Sequence, residues 1–185
     1  MAKVGDRNSL LISRFDRSGV ARIGYISAMT LLGARDGDER DYADIAEALP
    51  DYGASVKADL ADLFRRVVFN VAIHNTDDHL RNHGFLRTQG GWSLSPVFDV
   101  NPEPDIHKRR VMGIVGSVDD EPAALLAFAD ECRLTSTQAS ALVREVAEVV
   151  AGWREAAARN GIRARDIEPF AEAVEYGLAV LGQIA

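Results

Sequence analysis

The sequence predicts a mainly α fold carrying one small β-hairpin near its middle. Three observations lead there. Val56, Leu60, Leu63, Phe64, Val67, Val68, Val71 and Ala72 recur at three- and four-residue intervals, the period of a helix with one buried stripe. The period changes at Gly84–Leu86 and Trp92–Ser95, which flank Gln89-Gly90-Gly91 as two short strands flank a turn. Beyond residue 120, apolar segments again carry helix start and stop signals.

Taken in order, Leu10–Ile12 reads as a short apolar strand, and Arg22–Leu32 as a helix stopped by Gly33. Asp41–Leu49 forms a short helix with Tyr42, Ile45, Ala46 and Leu49 on one face, closed by Pro50. The strongest helix spans Ser55 to Ile73, and the hairpin follows. Pro96, Pro102 and Pro104 exclude a helix from 96 to 104. Val111–Val118 is an apolar, glycine-interrupted strand or loop. A helix from Pro122 to Ala129 follows Asp119-Asp120. Another starts at Thr135, with Gln138 completing a capping box, and runs to about Arg159 before Asn160-Gly161. The last runs from Asp166 to the C-terminus. With no internal repeat or linker, residues 1–185 read as a single domain.

The 185 residues include 21 basic and 28 acidic side chains, a net charge of −7, with 47% hydrophobic and 26% charged residues. That composition belongs to folded globular proteins rather than disordered or fibrous ones. No stretch approaches the ~18 uncharged apolar residues of a membrane span and no signal peptide opens the chain, so a cytoplasmic location is expected. Cys132 stands alone, which excludes an internal disulfide framework and a cysteine-based zinc site. The acidity argues against direct nucleic-acid binding.

Polar side chains concentrate where the best helix ends: His74-Asn75-Thr76-Asp77-Asp78-His79-Leu80-Arg81-Asn82-His83. One reading is a helix end whose histidines and amides cap carbonyls. The other rests on spacing. Asp77 and Asn82 lie five apart, and Asp99 follows seventeen residues later, across the hairpin. Such an order suits phosphoryl transfer, with one carboxylate to take the proton of an attacking hydroxyl. An amide oxygen and a second carboxylate then hold Mg²⁺ on the nucleotide phosphates. Magnesium takes hard oxygen ligands and leaves places for phosphate and water. Asp78 is an alternative base but lacks the five-residue offset. His79 and Arg81 are candidates for touching phosphate or for bracing the loop, Arg81 by pairing with Asp78. His74 and His83 read as structural. His107-Lys108-Arg109-Arg110 is a basic run that either meets phosphate or an acidic partner, or forms a solvated loop.

The segment from Asn75 to Phe85, followed by Pro96-Val97-Phe98-Asp99-Val100, resembles the signature of HipA-like toxin serine/threonine kinases. The resemblance extends upstream to Arg14-Phe15-Asp16-Arg17 and to Arg22–Gly33, covering roughly residues 8 to 170. It implies the C-terminal lobe of a two-lobed kinase-like fold from a bacterial toxin–antitoxin pair. Residues 1–17 would be a remnant strand of the lobe junction, and residues 74–99 the catalytic loop, hairpin and metal-binding aspartate. By that resemblance Asp77 is the catalytic base, and Asn82 and Asp99 are the Mg²⁺ ligands. The implied partners are a HipB-like helix-turn-helix antitoxin and a protein substrate such as an aminoacyl-tRNA synthetase.

The chain departs from the wider kinase pattern. Asn75 stands two before Asp77, and Val100-Asn101 follows Asp99. No glycine-rich loop is found. Lys3, Lys57 and Lys108, the only lysines, are placed in a tail, a long helix and a basic loop rather than on a nucleotide-binding strand. The expectation is therefore a C-terminal lobe without its N-terminal ATP lobe, with weak ATP binding and little activity alone. The alternatives are a non-catalytic module or split-kinase subunit that binds an antitoxin or a separate N-lobe, and a metal-dependent hydrolase built on His74, His79, His83 and Asp77.

Overall fold

The 17-residue helix α3 (Val56–Ala72) is the axis around which the other elements pack. Its stripe of Leu60, Leu63, Phe64, Val67, Val68, Val71 and Ala72 is fully buried, as the spacing predicts. The computed structural model describes residues 2–4, 7–9, 11–116 and 120–185. Helices α2 (Tyr42–Tyr52), α4 (Glu121–Glu131), α5 (Ser136–Ala151) and α8 (Ala171–Leu181) surround α3. Shorter helices are α1 (Ala28–Leu31), α6 (Trp153–Arg159) and α7 (Ala164–Ile167).

Among the described residues, seven short strands accompany them. β1 (Ala2–Val4) pairs with β2 (Arg7–Ser9), and β3 (Arg17–Ser18) with β4 (Ala21–Arg22). β5 (Tyr25–Ser27), β6 (Gly84–Thr88) and β7 (Gly91–Leu94) form one antiparallel sheet with β6 central. The expected hairpin is β6–β7. It docks on the α2–α3 junction through the Ala54 N–H, which bonds the Trp92 carbonyl at 2.8 Å. At its far end, Arg66 of α3 donates to the Ser95 carbonyl at 2.5 Å.

The mainly α expectation holds, with local corrections. Arg22–Leu32 is not a helix: β4 takes its first residue, and Tyr25, Ile26 and Ser27 pair with Leu86, Phe85 and Gly84. The apolar residues there satisfy a sheet pairing whose partner lies some sixty residues away, and helix begins only once Ser27 caps Thr30. Pro50 does not close α2. It forgoes one N–H, but the helix continues to Tyr52 and Gly53 N–H bonds the Leu49 carbonyl at 2.7 Å. The Thr135–Gln138 capping box is present, yet the helix behind it breaks at Gly152 into α5 and α6. The final segment begins as α7, passes through a 3-10 turn at Glu168–Phe170 containing Pro169, and resumes as α8. Leu11 and Ile12 are exposed and outside any strand, and Leu10 lies outside the described residues. Of Val111–Val118, residues 111–116 form loop and an isolated bridge; Val118 lies outside the described residues.

Helix α8 crosses α3 closely enough that only glycine fits at the contact. A Cβ on Gly177 would stand 2.4 Å from the Ala72 carbonyl oxygen and 2.5 Å from that of Val71. Glycine to alanine inside a helix ordinarily stabilises by about 0.5–1 kcal/mol. Here Gly177→Ala is expected to destabilise by about 1–3 kcal/mol through overpacking. Urea denaturation checks the sign, and a gain in stability would refute the close crossing.

Candidate functional site

The polar loop begins where α3 ends. His74 adopts φ 53°, the left-handed conformation that commonly terminates helices, and its N–H bonds the Val71 carbonyl at 3.0 Å. The Asn75 N–H closes back on the Asn70 carbonyl at 2.8 Å. The His74 ring packs edge-on against Tyr176 of α8, and its Nε2 lies 3.1 Å from the Asp105 carbonyl.

The two adjacent aspartates part company. Asp77 is exposed, whereas Asp78 is 4% exposed and surrounded by donors. Tyr42 Oη and Asn70 Nδ2 each donate to Asp78 Oδ2 at 2.7 Å, His83 Nε2 lies 2.8 Å from the same oxygen, and the His79 N–H donates to Oδ1 at 3.1 Å. Burial pushes the Asp78 carboxyl upward. The hydrogen bond and charge of His83, the Tyr42 hydroxyl and the His79 N–H together outweigh it and hold the group below the usual carboxylate range. Burial beside Asp78 conversely drives the Tyr42 hydroxyl well above its ordinary value. Asp78 is thus the anchor of the loop and is unsuited to be a solvent-facing base.

A second anchor comes from the chain after Asp99. Arg110, 8% exposed, forms an ion pair with buried Glu121 and donates to the Asn75 carbonyl at 2.7 Å and the Asn70 carbonyl at 3.4 Å. The Val111 N–H bonds the Thr76 carbonyl at 2.9 Å, and the Glu103 N–H bonds the His74 carbonyl at 3.1 Å. The segment 103–111 therefore lies zipped along 74–76. Arg110 leaves the solvated-loop reading of the basic run, while His107, Lys108 and Arg109 remain exposed.

The remaining predicted residues take distinct places. Asn82 is buried, and its Nδ2 faces the Asp77 carbonyl at 3.5 Å. That orientation leaves its amide oxygen for another partner. Asp99 is exposed at φ 55°, with Asn101 Nδ2 donating to its Oδ1 at 3.1 Å. No hydrogen bond among the described residues joins Asp99 to Asp77 or Asn82. His79 touches Asp78 through its backbone, and its buried ring Nδ1 has no hydrogen-bond partner among the described residues. It lines a cavity of about 200 Å³ with Arg35, Arg40 and Arg81. Arg81 pairs with Asp36, not with Asp78 as the sequence suggested, because Asp78 is enclosed by α2, α3 and the loop itself. Among the described residues no group of three or more His, Cys, Asp or Glu is arranged to hold a metal ion, and His74 and His83 engage their Nε2 atoms elsewhere. The histidine-based hydrolase alternative therefore lacks a ligand set.

Sequence reading missed Asn70, Tyr42, Glu121 and the special role of Arg110. Asn70 did carry a signal, as a polar residue on the core-facing side of α3 next to Val67 and Val71. Beside Asp99, Phe98 packs on Phe15 with ring centroids 5.8 Å apart, and Phe15 on Tyr25 at 6.0 Å. These rings line a cavity of about 270 Å³ with Ile12, Ser13, Arg14 and Asp16. Hydrogen bonds from Arg14 hold the Asp16 carboxyl down at about 2.

The family model described as HipA-like C-terminal domain matches residues 1–153. The chain belongs to that family. A Haemophilus influenzae relative named "Putative kinase" is 27% identical over 100 residues, covering 52% of this chain and 29% of its own length. The HipA chain of Shewanella oneidensis MR-1, solved with HipB and its operator DNA, superposes with a TM-score of 0.68 at 18% identity. That match covers 92% of this chain and 47% of HipA, so this HipA-like chain spans about half the length of HipA and less than a third of the curated relative.

Two expectations follow from the anchors. Arg110→Met leaves Glu121 buried without its partner and is expected to cost about 3–5 kcal/mol in chemical denaturation. The Asp78 contribution has a defined pH sign. A folded pKa below the unfolded value of about 3.9 stabilises fully above that value, and the stabilisation is lost as pH falls through the folded pKa. The stability gap between wild type and Asp78→Asn should accordingly narrow below about pH 4; an equal gap at pH 3 and pH 7 would contradict the assignment.

Proposed function

We propose that this chain is the catalytic lobe of a HipA-like serine/threonine protein kinase, with Asp77 as the base. The observation that carries the reading is the division of labour in the loop. Asp78, His83 and Arg110 are buried and committed to holding it, while the Asp77 carboxylate is left exposed and its carbonyl meets the Asn82 amide. In the proposed reaction the oxygen of a serine or threonine hydroxyl bonds to the γ-phosphorus of ATP. The bond from that phosphorus to the β–γ bridging oxygen breaks and ADP leaves, while Asp77 takes the hydroxyl proton.

Asn82 and Asp99 fit Mg²⁺ by donor chemistry. Among the described residues, one offers an amide oxygen without a hydrogen-bond partner and the other an exposed carboxylate with one oxygen engaged by Asn101. Bound there, the ion would supply neutralisation of phosphate charge. The aromatic cavity beside Asp99 has the flat, largely apolar walls a purine ring requires.

HipB in the Shewanella complex supports a HipB-like antitoxin as partner for this chain, and a protein such as an aminoacyl-tRNA synthetase as substrate follows from the family resemblance. No helix among the described residues is long and apolar enough to cross a membrane. One observation favours the second reading, a subunit that docks a separate nucleotide lobe: Leu11, Ile12, Val20 and Tyr25 expose apolar side chains at the end of the chain where such a lobe would join.

Label transfer from Mg²⁺ and [γ-³²P]ATP tests the proposal. The 185 residues alone should incorporate little. With a β-rich nucleotide lobe added in trans, incorporation should rise, and Asp77→Asn should lower it by at least about 100-fold. Equal labelling by wild type and Asp77→Asn would overturn the assignment of the base.

A further inference from the structure

We propose that Lys108 is a further catalytic residue, the cation that receives the terminal phosphate of the nucleoside triphosphate; this rests on the kinase reading of the Asp77 site. In the sequence Lys108 sits in a basic run that either meets phosphate or an acidic partner, or forms a solvated loop. The fold ties this run to the catalytic loop. Hydrogen bonds from Glu103 to His74, from Val111 to Thr76 and between His74 and Asp105 lay the lysine-bearing segment against the residues just before Asp77.

The ammonium donates to Glu103 Oε2 at 2.5 Å, and the Lys108 N–H bonds the Asp105 carbonyl at 3.0 Å. This pairing with Glu103 raises the Lys108 pKa, and the negative charges of Asp77 and Asp105 add to it. A phosphoryl group carried to Asp77 enters surroundings already rich in carboxylates (Asp77, Glu103 and Asp105), so it requires a cation that can reach it.

The arginines that brace this region do not meet that need. Arg81 is paired with Asp36, and Arg110 is buried against Glu121 and two backbone carbonyls. Lys108 is held differently. Its side chain is 48% exposed, and its partner Glu103 is 21% exposed, with its other oxygen accepting from the Asp105 N–H at 3.1 Å. An ion pair of that kind contributes little and is readily exchanged, whereas a multiply charged phosphate accepts a stronger, charge-assisted hydrogen bond. Glu103 then acts as a resting partner for the lysine until phosphate displaces it.

The two members of the pair therefore have opposite expected effects, which a purely structural ion pair would not produce. Calorimetric titration of the 185-residue chain with Mg²⁺·tripolyphosphate reads them directly. Lys108→Met should weaken binding about tenfold, the value of one charge-assisted hydrogen bond. Lys108→Arg should retain most of the affinity, and Glu103→Gln should tighten binding several-fold. Lys57→Met makes the same change in net charge on an exposed part of α3 and should bind as wild type. Thermal unfolding of each variant verifies that the exposed substitutions leave the fold intact.

Equal binding by Lys108→Met and Lys57→Met, with Asp99→Asn still weakened, would overturn the role of Lys108 and leave the kinase site standing. Loss of affinity in both Lys108→Met and Glu103→Gln would also overturn it, by marking the pair as structural. Mg²⁺·tripolyphosphate binding that stays absent when a nucleotide lobe is supplied in trans, or that is indifferent to Asp99→Asn, would remove the kinase reading and the lysine assignment together.

Discussion

The buried carboxylate of Asp78 is the constraint on which the loop depends. An ionised group with 4% exposure is tolerable only when its oxygens are satisfied, and here the donors come from three places: Tyr42 on α2, Asn70 on α3, and His83 and the His79 N–H within the loop. Each donor fixes one element relative to the others. A loop with so many polar groups would otherwise sample many conformations. With Asp78 locked, the neighbouring Asp77 has little freedom except to face solvent.

The Arg110–Glu121 pair extends this constraint to the part of the chain that carries Asp99. Arg110 reaches two carbonyls at the α3 terminus, while adjacent backbone bonds tie residues 103 and 111 to His74 and Thr76. The segment that follows Asp99 is thereby held against the loop that contains Asp77. Left-handed backbone at both His74 and Asp99 marks the two ends of this arrangement. Non-glycine residues adopt that conformation at a cost, and the surrounding hydrogen bonds and packing keep them there. Rigid support beneath exposed oxygens is what phosphoryl transfer asks of a protein, since the chemistry consists mainly of positioning and charge stabilisation.

Much of this was legible from residue order. The buried stripe of α3, the hairpin around Gln89-Gly90-Gly91, the Thr135 capping box and the polar loop after Ile73 all follow from local period and turn chemistry. The five-residue offset to Asn82 made Asp77 the candidate base. The misreadings share a cause. Arg22–Leu32 has apolar residues compatible with a helix, but Ile26 opposite Phe85 places them in a sheet. For Arg81, pairing with Asp78 of the same loop is one of two readings of the sequence, and the fold gives it Asp36 instead. In both, a contact distant in sequence outweighed a local preference.

The sequence alone determined the helical scaffold and the loop, because the spacing of apolar and polar side chains sets which face of a segment can be buried. Tertiary structure decided which of two adjacent aspartates is anchored and which is exposed, that Arg110 is buried while Lys108 is not, and that residues 103–111 lie along the loop. Neighbouring side chains of the same type are equivalent until packing removes water from one of them. The cost of burying a charge without partners then assigns each residue its place.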